Sequence, residues 1–196
     1  MAKDPISLKD RLLSSPPKNS KYYIIAIDGR GGAGKTSLSM YLQKLLPDFC
    51  FICGDDYFEP VSHPIAWGGY NEERFEQDVI KPLWDAKAEL DYRPYDWVKN
   101  PHISDHKVTI GSGVFIDRCY SFAFDLNFDL KIWVETPRDV TLKRGISRSS
   151  MPKEKAELVW RELWKPMEDK YIEDIMPLKT ADIIISGDEP FENQVS

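Results

Sequence analysis

The feature that most constrains this chain is a glycine-rich segment, DGRGGAGKTS, which follows directly on the apolar run YYIIAI. Gly29, Gly34, Lys35 and Thr36 match the spacing G-x-x-x-x-G-K-[ST] of a phosphate-binding loop. An apolar strand precedes the glycines and an amphipathic helix follows them, which is the context that such a loop requires. The alternative is a glycine-rich turn with an incidental lysine. The spacing and the context together favour a phosphate cradle.

The residue types in this loop suit nucleotide phosphates. Glycines let the backbone curl so that successive N–H groups face phosphate oxygens where a Cβ atom would collide. The helix that starts near Lys35 adds the positive end of its dipole. Lys35 brings a charge to the β- and γ-phosphates, and the Thr36 hydroxyl is a hard oxygen ligand for Mg²⁺. The residues expected to bind ATP are Gly29, Arg30, Gly31, Gly32, Ala33, Gly34, Lys35, Thr36 and Ser37.

Short, continuously apolar runs predict the strands of a single sheet. They lie near residues 22–28, 49–53, 113–117, 130–135 and 182–186. Helical patterns or long connections separate them, which is typical of parallel strands, and continuous apolar character is typical of a sheet covered on both faces. We therefore expect an α/β fold of the P-loop NTPase type, with three α/β/α layers and a five-stranded parallel core.

Helical periodicity predicts the outer layers. Apolar residues recur with helical spacing just after the glycine loop, from Asn71 to about Trp84, and from about Lys153 to Ile175. Asn71 is a plausible N-cap residue for the second of these helices. Pro82 and Pro166 are expected to shorten or bend the helices that contain them, because proline removes a helical hydrogen bond.

Length and composition limit the class of protein. A chain of 196 residues favours one domain, which we place at 21–196, with an appendage at 1–20 and a lid around 145–155. No apolar stretch approaches the ~20 residues of a membrane span, and the start MAKDPISLKDRLLSS lacks the apolar core of a secretory signal, so we expect a cytoplasmic protein. The formal net charge of −6 argues against broad capture of nucleic acid.

The cysteines and histidines do not indicate a metal site. Cys50 and Cys53 lie in the predicted strand FCFIC, where residues three apart face opposite sides, so packed thiols are favoured over a redox or zinc pair. His63, His102 and His106 have no zinc-ligand spacing with cysteine, and we assign them to loops, with contact of one of them with substrate as the alternative.

Carboxylates follow two predicted strands, at the edge where open α/β sheets bind ligands. The strand FCFIC leads into Asp55 and Asp56, and a carboxylate there can orient a substrate hydroxyl and take its proton. The alternative is an Asx turn that leaves the strand. The strand GVFID ends in Asp117, which suits a Mg²⁺-organising carboxylate beside Thr36. A strand-end cap is the alternative for Asp117.

Two arginines are candidates for neutralising the transferred phosphate. Arg144 and Arg148 are four residues apart, which places them on one face of a predicted helix that leads into a polar turn. Guanidinium groups on a mobile segment can close over phosphates and stabilise the charge that moves between them. A solvated basic face explains the same pattern equally well.

Taken together, the motifs resemble the uridine kinase and phosphoribulokinase type of P-loop kinases over about residues 22–186. The stretches that carry the resemblance are DGRGGAGKTS, GDDYF, RPYDW, VFIDRCYS, DLKIWVETPRDVTLKRGISR and ADIII. The resemblance implies that Asp55 is the catalytic base, that the acceptor lies beside Tyr95 and Asp96, and that Arg144 and Arg148 are lid arginines. The residues expected to bind the acceptor are Asp55, Tyr57, Arg93, Tyr95, Asp96 and Arg118. Tyr95 and Trp97 can stack on a base or ring, although packing accounts for this aromatic pair as well.

The chain departs from the family pattern at two positions. Asp117-Arg118 stands where such kinases usually have Glu-Gly, so a long cation replaces a residue that would leave room. Arg148-Ser149 stands where the family often has Arg-Asp. We therefore expect the reaction class to be better defined than the acceptor.

The expected activity is transfer of the γ-phosphoryl group of ATP to a hydroxyl group of a small molecule, most readily a nucleoside, with ATP and Mg²⁺ required. Asp55, Lys35, Arg144 and Arg148 are the expected catalytic residues. The chain lacks an N-K-x-D guanine-reading segment and an LSGGQ-like signature, and both absences favour a kinase over a GTPase or a transport ATPase. A nucleotide-binding regulatory or partner-binding module is the alternative, and an ATPase or GTPase switch ranks third. Association into a homo-oligomer is compatible with the sequence.

Overall fold

The computed structural model describes residue 10 and residues 16–18, 21–59, 69–95, 106–124 and 126–195. Its strands are β1 (Tyr23–Gly29), β2 (Phe49–Cys53), β3 (Glu89–Tyr92), β4 (His106–Thr109), β5 (Gly113–Asp117), β6 (Leu130–Glu135) and β7 (Ile183–Ser186). Its helices are α1 (Lys35–Leu45), α2 (Glu72–Phe75), α3 (Lys81–Trp84), α4 (Arg138–Arg148), α5 (Lys153–Val159), α6 (Lys165–Ile175), α7 (Pro177–Thr180) and α8 (Glu192–Val195).

A five-stranded parallel sheet forms the centre of the domain, with the strand order β2-β5-β1-β6-β7. β1 pairs with β5 on one side and with β6 on the other, and both pairings are parallel. The sheet contains all five of the predicted apolar runs, with starts that differ by at most one residue. The predicted five-stranded parallel core is therefore confirmed.

The sheet is covered on both faces, which explains why its strands are continuously apolar. Ile24 and Ala26 of β1 belong to one core cluster, whereas Ile25 and Ile27 belong to the other. Helix α1 covers the second cluster with Leu38, whose side chain is fully buried. Helices α2 and α3 cover the first cluster. The predicted three-layer α/β/α arrangement is confirmed.

The two prolines inside helices change the local geometry without ending the helices. A π-helical segment, Glu76–Ile80, joins α2 to α3 just before Pro82, and a second, Trp160–Trp164, joins α5 to α6 just before Pro166. Proline has no N–H group to donate, and the wider π turn accommodates that loss. The Asn71 side chain accepts a hydrogen bond from the Arg74 N–H at 2.9 Å, which confirms the predicted N-cap.

A two-stranded antiparallel ribbon, β3 with β4, was not predicted from the sequence. Each strand has only four residues, and only β3 alternates between exposed and buried side chains, so no period-two pattern stands out. The assignment of His106 to a loop is wrong, because it lies in β4 opposite Tyr92 and packs edge-on against that ring at 5.2 Å.

Of the predicted appendage at 1–20, the described part is residue 10 and residues 16–18, and the Lys18 N–H donates to the Asp129 carboxylate at 2.6 Å. His63 and His102 lie outside the described residues. Within the described ranges, every helix is too short or too polar to cross a membrane. The same ranges contain no cluster of three or more His, Cys, Asp or Glu residues that could hold a metal.

Candidate active site at the glycine loop

The glycine loop lies where β1 ends and α1 begins, at the carboxyl edge of the parallel sheet. Asp117 at the end of β5 pairs in register with Ile27 of β1 and with Cys53 at the end of β2. Because parallel strands end at the same edge, this register brings the loop, Asp117 and the segment that contains Asp55 together. The predicted grouping of these residues follows from the sheet alone.

The loop needs its glycines for two different reasons. Gly32 and Gly34 have φ angles of 89° and 105°, which side chains rarely adopt. Gly31 does not have a positive φ, but a Cβ atom there would lie 2.9 Å from the Glu168 carboxylate and 3.0 Å from the Trp160 ring. Gly31 is therefore required by close packing, which the sequence did not indicate.

Helix α1 presents an open N-terminus to the loop. Gly34 occupies the N-cap position, and no side chain caps the helix there. The first N–H groups of a helix lack intrahelical acceptors and carry the positive end of the dipole, so an anion is a suitable partner for them. Both polar groups of the Ala33 backbone are hydrogen-bonded. Its N–H donates to the Arg30 carbonyl at 3.0 Å within the loop, and its carbonyl accepts from the Thr136 hydroxyl.

Lys35 is folded back over the loop. Its Nζ donates to the carbonyls of Gly29 and Arg30 at 3.2 and 3.3 Å and to the Cys119 sulfur at 3.1 Å. Burial would lower the pKa of Lys35, but the opposite charges that Cys119 and Asp117 can carry raise it above its ordinary value. Burial also raises the pKa of the Cys119 thiol to about 12, so Asp117 is the partner that is ionised near neutral pH.

The Thr36 hydroxyl donates to Asp117 Oδ2 at 2.6 Å, which brings the two predicted metal ligands together. Asp117 is only 4% exposed, and burial raises its pKa to about 6, partly offset by the nearby Lys35 charge. A hydroxyl and a carboxylate oxygen are hard ligands of the kind that Mg²⁺ prefers, and Mg²⁺ usually completes its shell with water and substrate phosphates. The pair therefore fits a metal that bridges protein and nucleotide.

Asp55 lies just after β2 in the one-turn 3₁₀ helix Gly54–Tyr57. The Tyr70 hydroxyl donates to Asp55 Oδ1 at 2.7 Å, so one carboxylate oxygen is held in place. No sequence pattern marked Tyr70 as a site residue. Asp56 points elsewhere and accepts a hydrogen bond from the Tyr92 hydroxyl at 3.2 Å. The two neighbouring carboxylates are therefore held by different tyrosines.

Arg118 is enclosed rather than open to a cavity. Its guanidinium forms an ion pair with Glu72 and is 1% exposed. It lies 4.9–5.1 Å from three ring centroids, those of Tyr70, Phe75 and Phe124. A Cβ atom on Gly54 would collide with its aliphatic stem, so the glycine beside Asp55 makes room for this side chain.

The remaining predicted acceptor residues have different surroundings. Tyr57 is fully buried beneath the Arg74 guanidinium, which favours a packing role over the predicted substrate contact. Arg93 is exposed just after β3. The Tyr95 N–H donates to the Asp56 carbonyl at 2.8 Å, which places that residue next to the Asp55 segment. Asp96 and Trp97 lie outside the described residues.

The two predicted lid arginines line a cavity of about 860 Å³ beside the loop, together with Gly32, Gly34, Ser37 and Phe191. The Arg144 guanidinium donates hydrogen bonds to the Asp188 carboxylate at 2.8 Å and to the Gly187 carbonyl at 3.1 Å. Arg148 lies over the Trp160 ring at 5.9 Å, and its charge acts on Asp117. The two residues share a helix face, as predicted, but have different partners. Helix α4 ends at Arg148 and α5 begins at Lys153, within the segment predicted as a lid.

The three-layer fold and the glycine loop define a P-loop nucleotide-binding protein. No family model matches the chain. Mouse nicotinamide riboside kinase 2 is 32% identical over 165 residues, with 76% of this chain and 78% of the relative covered. The uridine kinase of Chlamydia pneumoniae is 28% identical over 190 residues, with 84% of this chain and 81% of the relative covered.

Solved structures show the same fold. A possible uridine kinase from Bacillus stearothermophilus has a TM-score of 0.65 at 19% identity, covering 86% of this chain and 91% of its own. A putative fructose transport system kinase from Silicibacter sp. TM1040 has a TM-score of 0.70 at 17% identity, covering 87% of this chain and 92% of its own. With the loop in place and a relative above 30% identity over most of the chain, the protein belongs to the uridine kinase-like family of P-loop small-molecule kinases.

Proposed function

We propose that the protein transfers the γ-phosphoryl group of ATP to a hydroxyl group of a nucleoside. The observation that carries this proposal is the Thr36–Asp117 contact of 2.6 Å at the open N-terminus of α1, on the same sheet edge as Asp55. Two candidate metal ligands, a helix N-terminus suited to phosphate and a candidate base therefore lie at one edge of the sheet. The nucleoside acceptor is supported by the relatives, which are named for nicotinamide riboside and uridine.

The loop binds the triphosphate tail through the backbone amides that begin α1. Lys35 is held over the loop by two carbonyl groups, and it transfers its Nζ contacts to the phosphates when they bind. Thr36 and Asp117 would hold the divalent metal. Bound Mg²⁺ would supply positive charge that neutralises the phosphate oxygens. Without that charge the ionised Asp117 carboxylate would repel the phosphates, so we expect phosphoryl transfer to depend on Mg²⁺.

Asp55 aligns the acceptor hydroxyl and accepts its proton. The hydrogen bond from Tyr70 fixes Oδ1, which leaves Oδ2 to receive the proton. We assign neutralisation of the charge on the transferred phosphoryl group to Arg148, which lines the cavity and packs against Trp160, in preference to Arg144, which is paired with Asp188. Arg144 also lines the cavity beside the loop.

The test is the substitution Asp55→Asn, with the exposed Asp85→Asn as the matched control. Formation of ADP is measured with ATP, Mg²⁺ and a panel of acceptors that includes uridine and nicotinamide riboside. We expect acceptor-dependent ADP formation by the unsubstituted protein and by Asp85→Asn. In Asp55→Asn, kcat falls by roughly 10²–10⁴ while ATP binding is retained, because only a positioned base is lost.

Three outcomes contradict the proposal. If ATP binds and no acceptor in the panel releases ADP, a nucleotide-binding module is favoured. If ADP forms at the same rate without an acceptor, an ATPase is favoured. If Asp55→Asn turns over at the unsubstituted rate, Asp55 is not the base.

A further inference from the structure

A buried ion pair on helix α6 is hydrogen-bonded to the backbone of the glycine loop. Lys165 and Glu168 are 0% and 3% exposed, and their side chains form an ion pair at 2.6 Å. Glu168 Oε1 accepts a hydrogen bond from the Gly31 N–H at 2.9 Å, and Lys165 Nζ donates to the Gly31 carbonyl at 3.1 Å. Both polar groups of this one loop residue are therefore bonded to the same helix.

The contacts of this pair extend to both sides of the loop. Lys165 also donates to the Thr141 hydroxyl of helix α4 at 3.0 Å, and a Cβ atom on Gly32 would lie 2.5 Å from the Thr141 carbonyl. Next to Glu168, Asp169 forms an ion pair with Arg30 at 2.7 Å. The loop is thus fixed against α4 and α6 at three successive residues, 30 to 32.

The same cluster also supports a lid arginine. The Trp160 ring lies 5.1 Å from Lys165 Nζ and 5.9 Å from the Arg148 guanidinium. Gly145 is pressed against this ring, since a Cβ atom there would lie 2.5 Å from it. A displacement of Lys165 would therefore disturb contacts of both the loop and the helix that carries Arg148.

Stability alone is a weak explanation for such a pair. Taking two charges out of water is expensive, and replacing a buried ion pair by apolar residues of similar volume is often neutral or stabilising. What the charged pair provides, and an apolar pair would not, is directed hydrogen bonds to the Gly31 peptide.

We propose that Lys165 and Glu168 are positioning residues that hold the Gly31 peptide and thereby keep the glycine loop open for the triphosphate before the nucleotide binds. Neither side chain lines the cavity beside the loop. The Gly31 N–H is bonded to Glu168 and the Ala33 N–H to the Arg30 carbonyl, so the amides of Gly32 and of Gly34 to Thr36 bind the phosphates. The proposal rests on the proposed function in assigning the loop to a nucleotide.

Two double variants test the role of the hydrogen bond without leaving a buried charge unpaired. Lys165→Met with Glu168→Gln keeps an acceptor for the Gly31 N–H, whereas Lys165→Met with Glu168→Met removes it. Both pairs are uncharged and similar in volume. Glu173→Gln, an exposed change on the same helix, is the control. The dissociation constant of Mg·ADP is measured by calorimetry, and the melting temperature of each variant is measured without nucleotide.

We expect the Gln-containing double variant to bind Mg·ADP within about threefold of the unsubstituted protein. The double variant with Glu168→Met binds Mg·ADP roughly tenfold more weakly than the unsubstituted protein, because one buried hydrogen bond to the loop is lost. Equal affinities of the two double variants overturn the proposal, even if their melting temperatures differ. Failure of the unsubstituted protein to bind Mg·ADP instead contradicts the proposed function, so the two failures are distinguishable.

Discussion

The buried carboxylate of Asp117 suits metal binding, but it lowers the stability of the fold at neutral pH. Its carboxyl group is 4% exposed, and burial raises its pKa from 3.8 to about 6. The folded protein therefore binds a proton at this residue between about pH 4 and pH 6, where the unfolded chain has already released it. The free energy of unfolding falls as the pH rises through that range and stays lowered above it.

The magnitude follows from the two pKa values. A difference of about two units, at about 1.4 kcal/mol per unit, corresponds to about 3 kcal/mol of lost stability above pH 7. Asp117→Asn cannot ionise, and its side-chain oxygen still accepts the Thr36 hydroxyl. Without metal or nucleotide, we expect the variant to be more stable by about 3 kcal/mol at pH 8 and by about half of that at pH 5.

The assay is thermal and urea unfolding of both proteins at pH 5 and pH 8 with a metal chelator present, and with Asp85→Asn as the exposed control. At pH 8 the melting temperature of Asp117→Asn should be higher by roughly 6–12 °C. Addition of Mg²⁺ and ADP should narrow or reverse the difference, because only the unsubstituted protein retains both metal ligands. Equal stability of the unsubstituted protein and Asp117→Asn at pH 8 without metal would refute the reasoning.

Further predictions concern the charged groups around the phosphates. Lys35→Met should weaken both ATP binding and turnover, by roughly 10²-fold in kcat/KM, because its charge contacts phosphates in the ground and transition states; unchanged kinetics would remove the loop assignment. Arg148→Ala should lower kcat by roughly 10²-fold, as expected when a group that stabilises developing charge is lost. Arg144→Ala should mainly raise the KM for ATP, since this side chain is partly exposed and paired with Asp188. Equal losses of kcat in the two arginine variants would contradict their different assignments.

Sequence reasoning succeeded where the pattern is local. The glycine loop, the strand before it and the helix after it are contiguous, so one stretch of letters contains all their signals. Asp117 could be placed beside Thr36 because it ends a recognisable parallel strand, and such strands end at one edge. The five apolar runs and the N-cap at Asn71 were also predicted correctly, because their signals lie within short stretches of sequence.

What could not be predicted depends on contacts between distant parts of the chain. Tyr70 bonds to Asp55 across 15 residues, and Arg118 pairs with Glu72 across 46. The contact between Gly31 and Glu168 joins residues 137 apart. No spacing rule connects such positions, because a glycine required by an approaching side chain looks the same in the sequence as one required by a turn. The arginine after Asp117 was visible as a departure, but its enclosure by three rings depends on tertiary packing.

The proposed function requires the backbone amides of Gly32 and of Gly34 to Thr36 to bind the triphosphate. A crystal structure with a nonhydrolysable ATP analogue and Mg²⁺ measures this directly. We expect the β-phosphate against those amides, the metal on Thr36 and Asp117, and the Gly31 N–H still bonded to Glu168. A nucleotide located elsewhere, or a metal bound without Thr36 and Asp117, would contradict the account.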